Sequence, residues 1–145
     1  MILSVWTIVR FFHVLSAVLW VGGQLTLSLI VRPAAVRALD AEQRSDMFTL
    51  AGTRFARLST LLLMPMLLGS GLALAWHRGV DFAMLTLPGY GLTLGIKIAL
   101  AFVSLALAVL HGIVVSRNGE TARVIGVAGL AVSVSVVLLA TSLVP

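Results

Sequence analysis

The stretch YGLTLGIKIALAFVSLALAVLHGIVV, residues 90–115, is apolar at almost every position and long enough to cross the ~30 Å hydrocarbon core of a bilayer as one helix. It also contains a lysine. Lys97, Ser104 and His111 follow one another at steps of seven, so they share a helical face, with Ala101 and Ala108 leaving room between them. A charged side chain near the centre of a membrane costs at least ~2.5–3.5 kcal/mol on insertion scales, so it normally faces a partner, a cavity or a cofactor. The fold and the search for function both start from this segment.

Three further stretches resemble it in length and polarity: about Ile2–Val31, Leu58–Trp76 and Val124–Val144. The chain as a whole is 60% hydrophobic and 10% charged, with a mean hydropathy of +1.13, whereas a soluble domain carries roughly 25% charged residues. One membrane domain over residues 1–145 is expected, an all-α bundle of four antiparallel spans. The first span has no small-residue cleavage site and reads as a retained helix rather than a signal peptide. With no cysteine in the sequence, disulfides, thiolate metal sites and thiol catalysis are excluded.

Arginine sets the expected orientation. Arg32, Arg37, Arg44, Arg54 and Arg57 lie between the first two spans and Arg117 and Arg123 between the last two, against Arg78 alone on the other side. Positive loops stay in the cytoplasm, so both termini are expected on the periplasmic or outer face of a bacterial inner membrane. Trp6, Trp76, Phe82 and Tyr90 then fall at the outer interface. The net charge of +5 is a topology signal here, and no nucleic-acid partner is expected from it.

Between the spans, Pro33 is expected to end the first helix, and Asp40 to cap a short amphipathic helix on the cytoplasmic surface carrying Met47, Phe48, Leu50, Ala51 and Phe55. Pro65 with Gly69 and Gly71 predicts a kink in the second span. Residues 77–89 read as an outer loop and 117–120 as a tight turn. Gly126, Gly129 and Ser133 form a small-residue face suited to close helix packing, which also makes a homodimer an expectation.

The first span carries a polar stripe of its own. Arg10, His13, Ala17, Trp20 and Gln24 recur at helical steps and share a face. A histidine ~15 Å into a helix is beyond easy snorkelling. It either bonds to a serine or carbonyl on a neighbouring helix or handles a ligand or proton. Lys97 has the same two readings, snorkelling outward or meeting a cofactor. His77, beside Trp76 and Arg78, reads as an interfacial residue.

Haem b fits this inventory, because it needs one or two axial nitrogens, an apolar slot and cations for its propionates. His13 supplies an axial ligand, Arg10 a propionate partner one turn outward, and Ala17 and Trp20 walls for the ring. Lys97 is then a second axial ligand if neutral, a propionate partner if charged, or the group that carries a proton in catalysis. His111 is a further candidate on the face that Lys97 shares. Three histidines cannot supply two bis-histidine haems, which sets one haem as the expectation. Copper is the rival, with Met64 and Met66 as soft donors completed by His13 or His77. Those two methionines, however, point in well-separated directions on a helix, and methionine is also common core filler.

Phe12-His13, six residues, then Trp20-Val21-Gly22-Gly23 resembles the first helix of the copper-resistance D (CopD) membrane domain, and Tyr90-Gly91 followed by Lys97 is similar to its later signature. The same first helix, with Arg32 at its end, Met64-Pro65 with Gly69, and Lys97 then His111, also resembles the HemJ-type protoporphyrinogen oxidases. The likeness runs from about Phe12 to Arg117. The HemJ resemblance implies haem b at His13 and Lys97; the CopD resemblance implies copper handling across the inner membrane. Leu25 to Ile30 is more aliphatic than the HemJ counterpart, so the haem site is carried over more directly than the oxidase activity. The expectation is thus a haem b membrane redox protein, serving electron transfer or oxidation of a small substrate with a quinone or protein partner. CopD-like copper transport is the alternative, and a non-catalytic interaction subunit a third class.

Overall fold

The computed structural model describes residues 4–115 and 117–143. Ile2 and Val144, outer bounds of the first and last expected spans, lie outside them. The described residues are helical apart from short connections. The helices are α1 (Val5–Thr26), α2 (Arg32–Ala38), α3 (Ala41–Leu58), α4 (Met64–His77), α5 (Tyr90–Val114) and α6 (Gly119–Ser142), with a 3-10 turn at Met84–Thr86. Four helical stretches are long and apolar enough to cross a membrane: Val5–Ala38, Ala41–His77, Tyr90–Val114 and Gly119–Ser142. Such a set marks a multi-pass membrane protein. Lipid cannot satisfy backbone polar groups, so apolar segments of this length close their hydrogen bonds within a helix.

Helix starts follow side-chain chemistry. Ser4 caps α1 by accepting from the Thr7 amide at 3.2 Å. Asp40 caps α3 in a reciprocal box, accepting from the Gln43 amide at 2.9 Å while the Gln43 side chain accepts from the Asp40 amide. Asn118 caps α6, accepting from the amides of Glu120 and Thr121, which makes 117–120 the tight turn the sequence predicts.

Two boundaries differ from expectation, for one reason. Pro33 does not end the first helix. A π-helical turn, Leu27–Val31, precedes it, and the helix continues to Ala38. A second π turn, Ser59–Leu63, stands before Pro65, so the amphipathic helix α3 runs on into α4 instead of forming a separate short element. Each proline lies two residues beyond its π turn. Proline lacks the N–H an α-helix interior needs, and its ring clashes with the carbonyl four residues back; a widened turn relieves both.

Contacts cluster into two units, Met1–Arg78 and Gly79–Pro145. In the first, α1 packs on α4; in the second, α5 packs on α6 and on the 3-10 turn. The α5–α6 seam is polar at its centre. Ser133 donates to the Gly129 carbonyl at 2.8 Å, so the 2.6 Å bond between Ser104 and Ser133 takes its proton from Ser104. Both serines are buried. Gly129 meets the Leu107 side chain and Gly126 meets His111, so the small-residue face of α6 is occupied within the chain by α5. At the start of α5, a Cβ on Gly91 would overlap the Met84 carbonyl, and one on Gly95 would sit 2.6 Å from the Leu85 carbonyl. These two glycines let the 3-10 turn lie directly on the helix.

Candidate functional site

In the first unit, α1 presents His13 to α4. Its Nδ1 lies 3.1 Å from the Leu67 carbonyl oxygen and 3.0 Å from Ser70 Oγ. A carbonyl only accepts, so Nδ1 carries the ring proton. The Ser70 hydroxyl donates back to the carbonyls of Met66 and Leu67, leaving its oxygen lone pair to accept from His13. The tautomer follows: Nδ1 is protonated and Nε2 holds the lone pair. Gly71 completes the seat, since a Cβ there would stand 3.0 Å from the imidazole Cε1. The packing contact that the sequence offers as the plain reading of His13 is therefore present. It is also the bond that metal-bound histidines generally make, an N–H to a carbonyl fixing the ring and raising the basicity of the other nitrogen.

The rest of the α1 stripe divides. Arg10 is exposed one turn before His13, Ala17 is half-buried one turn after it, and Ser16 on the next face is fully buried, donating to the Phe12 carbonyl at 2.7 Å. Trp20 stacks on Phe55 of α3 with ring centroids 5.9 Å apart. Beside that pair lies a groove of about 530 Å³, lined by Gly22, Gly23, Thr26, Leu27, Phe55 and Leu58. Leu27 belongs to the first π turn. Ser59, which opens the second π turn, is buried, and its hydroxyl has no hydrogen-bond partner among the described residues.

The His77 ring stacks on Trp6, centroids 3.7 Å apart and planes 8° from parallel. Met64 and Met66 bracket Pro65 at the start of α4, where the Met66 carbonyl accepts from Ser70. No cluster of three or more His, Asp or Glu that could hold a bare metal ion occurs among the described residues.

In the second unit, Lys97 is half-buried, two residues beyond Gly95 on α5. Farther along the same helix, His111 Nδ1 lies 2.7 Å from the Ala122 carbonyl of α6, and a Cβ on Gly126 would stand 3.2 Å from its Cε1 and Nδ1. Heptad spacing identified Ser104 and His111 as one face, and the structure lays that face against α6. Ser70, Leu67 and Ala122 were not anticipated. The one signal for them was Ser70 as a lone polar residue in an apolar run; the two carbonyls carry no sequence signature.

Comparison of the chain with protein-family models, curated proteins and solved structures finds no match.

Proposed function

We propose that the chain is a haem b-binding membrane redox protein, acting in electron transfer or in oxidation of a small substrate at the bacterial inner membrane. The observation that supports this most is the His13 seat: a half-buried imidazole in a membrane span whose Nδ1–H is held by Leu67 and Ser70, so that Nε2 carries the lone pair an axial ligand would use. Iron porphyrin brings four nitrogens of its own and asks the protein for one or two axial ligands, which suits a site lacking a cluster of donors. When bound, the haem supplies one-electron chemistry. His13 binds and orients it, and Arg10 carries the positive charge that a propionate needs. Lys97 enters as second axial ligand or proton carrier through its place in an apolar span and through the family resemblance. A quinone or a redox protein exchanges the electrons.

In this reading the four spans form an antiparallel bundle with both termini periplasmic and the start of α3 at the cytoplasmic surface, as the arginine distribution argues. A homodimer, if formed, uses a surface other than Gly129 and Ser133. The deciding experiment is an absorption spectrum of detergent-purified protein with a pyridine haemochrome assay. A Soret band that His13→Ala abolishes or strongly shifts, in protein that still inserts, supports the reading. A His13→Ala protein with full haem and an unaltered spectrum overturns the assignment. Colourless protein carrying stoichiometric copper favours the CopD-like transporter, with Met64 and Met66 as donors. Neither cofactor, with silent His13 and Lys97 variants, leaves the interaction subunit.

A further inference from the structure

The groove beside the Trp20–Phe55 pair runs along one face of the first span from Val18 to Leu27, with Phe55 and Leu58 of α3 as its other wall. Its two glycines act differently. A Cβ on Gly23 would overlap the Phe55 ring, so Gly23 seats that ring, whereas a Cβ on Gly22 would meet nothing within 4 Å. Glycine weakens a helix interior relative to alanine, and no contact among the described residues uses the room that Gly22 leaves. At 1.5 Å per residue, Val18 to Leu27 covers ~14 Å, close to the ~15 Å hydrocarbon depth of one leaflet.

The lining is apolar, but its border is cationic. Arg54 and Arg57 stand one residue before Phe55 and Leu58 on α3, and Arg32 follows Leu27 by five positions on the helix that continues α1. All three are exposed and make no ion pair or side-chain hydrogen bond among the described residues. The sequence has no Asp or Glu in residues 1–39 or 47–80, so the acids of the first unit, Asp40, Glu42 and Asp46, are confined to the start of α3.

We infer that the groove is a site for an anionic phospholipid, with one tail lying along Val18–Leu27 over Gly22 and the phosphate at the border of Arg32, Arg54 and Arg57. Basic sites at membrane helix ends take anionic headgroups, and the arginine fork matches phosphate oxygens. A second copy of the chain is the other occupant that an apolar face with small residues admits. A two-fold interface there would set this arginine border against its own copy, like charge on like, with no acid between. The site is independent of the cofactor assignment.

The test is native mass spectrometry of full-length, delipidated protein in detergent. The probes are dioleoyl phosphatidylglycerol, dioleoyl phosphatidylcholine and inorganic phosphate. Wild type should hold one phosphatidylglycerol per chain about tenfold or more tightly than phosphatidylcholine, and phosphate alone should not displace it. Arg54→Gln and Arg57→Gln should each weaken phosphatidylglycerol about fivefold and leave phosphatidylcholine unchanged. Gly22→Leu fills the groove where the chain leaves it open, so it should weaken both lipids while helix content stays that of wild type. Equal retention of the two lipids, or arginine variants with wild-type affinity, overturns the inference. So does displacement by phosphate alone, which would make the arginines an anion site without the groove. A dimer that Gly22→Leu splits into lipid-free monomers gives the groove to a second copy and overturns it as well.

Discussion

Trp6 and His77 lie face to face, ring planes 8° apart, joining the first turns of α1 to the last residue of α4. Aromatic pairs of this kind contribute ~0.5–1.5 kcal/mol beyond their buried area. His77→Ala should lower the stability of the first helix pair by about that amount and shift Trp6 fluorescence. Haem content should not change. A loss of cofactor in His77→Ala would instead bring His77 into the site and favour the copper reading.

Ser70→Ala tests the His13 seat without removing the proposed ligand. The Leu67 carbonyl still accepts from Nδ1–H, so the ring keeps its tautomer and loses one of two acceptors. Outer-shell changes typically cost 10–100-fold in affinity, and with half the support intact about 10-fold weaker haem binding is expected. Titration of apoprotein with haem measures it. Unchanged affinity would show that the Ser70 bond serves packing alone.

Ser104→Ala removes the donor of the buried serine pair, while Ser133 keeps its bond to Gly129. Interhelical hydrogen bonds in membranes average ~0.6 kcal/mol and reach ~1.7. A loss in that range is expected in a reversible unfolding assay in detergent or bicelles. A larger loss would mean that the whole α5–α6 seam had rearranged.

Gly91→Ala places a methyl group against a backbone carbonyl that cannot rotate away. Overpacking of this kind costs ~1–3 kcal/mol. The 3-10 turn should lift, and amide exchange at Leu87, now bonded to the Met84 carbonyl at 3.1 Å, should accelerate. Exchange identical to wild type would refute the close approach.

Asn118→Cys and Gly79→Cys test the orientation. Asn118 should react only from the cytoplasmic face and Gly79 only from the periplasmic one; the reverse pattern would invert the topology proposed from the arginines.

Much of this was legible in the sequence. Apolar length alone located four spans, because lipid leaves the backbone no alternative to a helix. Heptad spacing put Ser104 and His111 on one face, and that face meets α6. What stayed hidden depends on contacts across the chain. His13 and Ser70 are 57 positions apart, and a carbonyl acceptor such as Leu67 or Ala122 looks like any other apolar residue. The π turns were hidden for a different reason: Leu27–Val31 and Ser59–Leu63 have the composition of ordinary span, and only the proline two residues on marked the disturbance. A proline in a span signals a stop or a kink, and by itself does not reveal the wider turn before it.

Each π turn holds one residue more than the α turn it replaces, and that has a consequence for how such a chain can change over generations. Elsewhere in a span, losing a single residue turns everything beyond it by ~100°, which would carry His13 away from Leu67 or Ser133 away from Ser104. Within Leu27–Val31 or Ser59–Leu63 the same loss only tightens the coil and leaves the far side in phase. The proline then no longer fits. Extra residue and proline should therefore be gained and lost together, as a single heritable unit, in any lineage that keeps these helices.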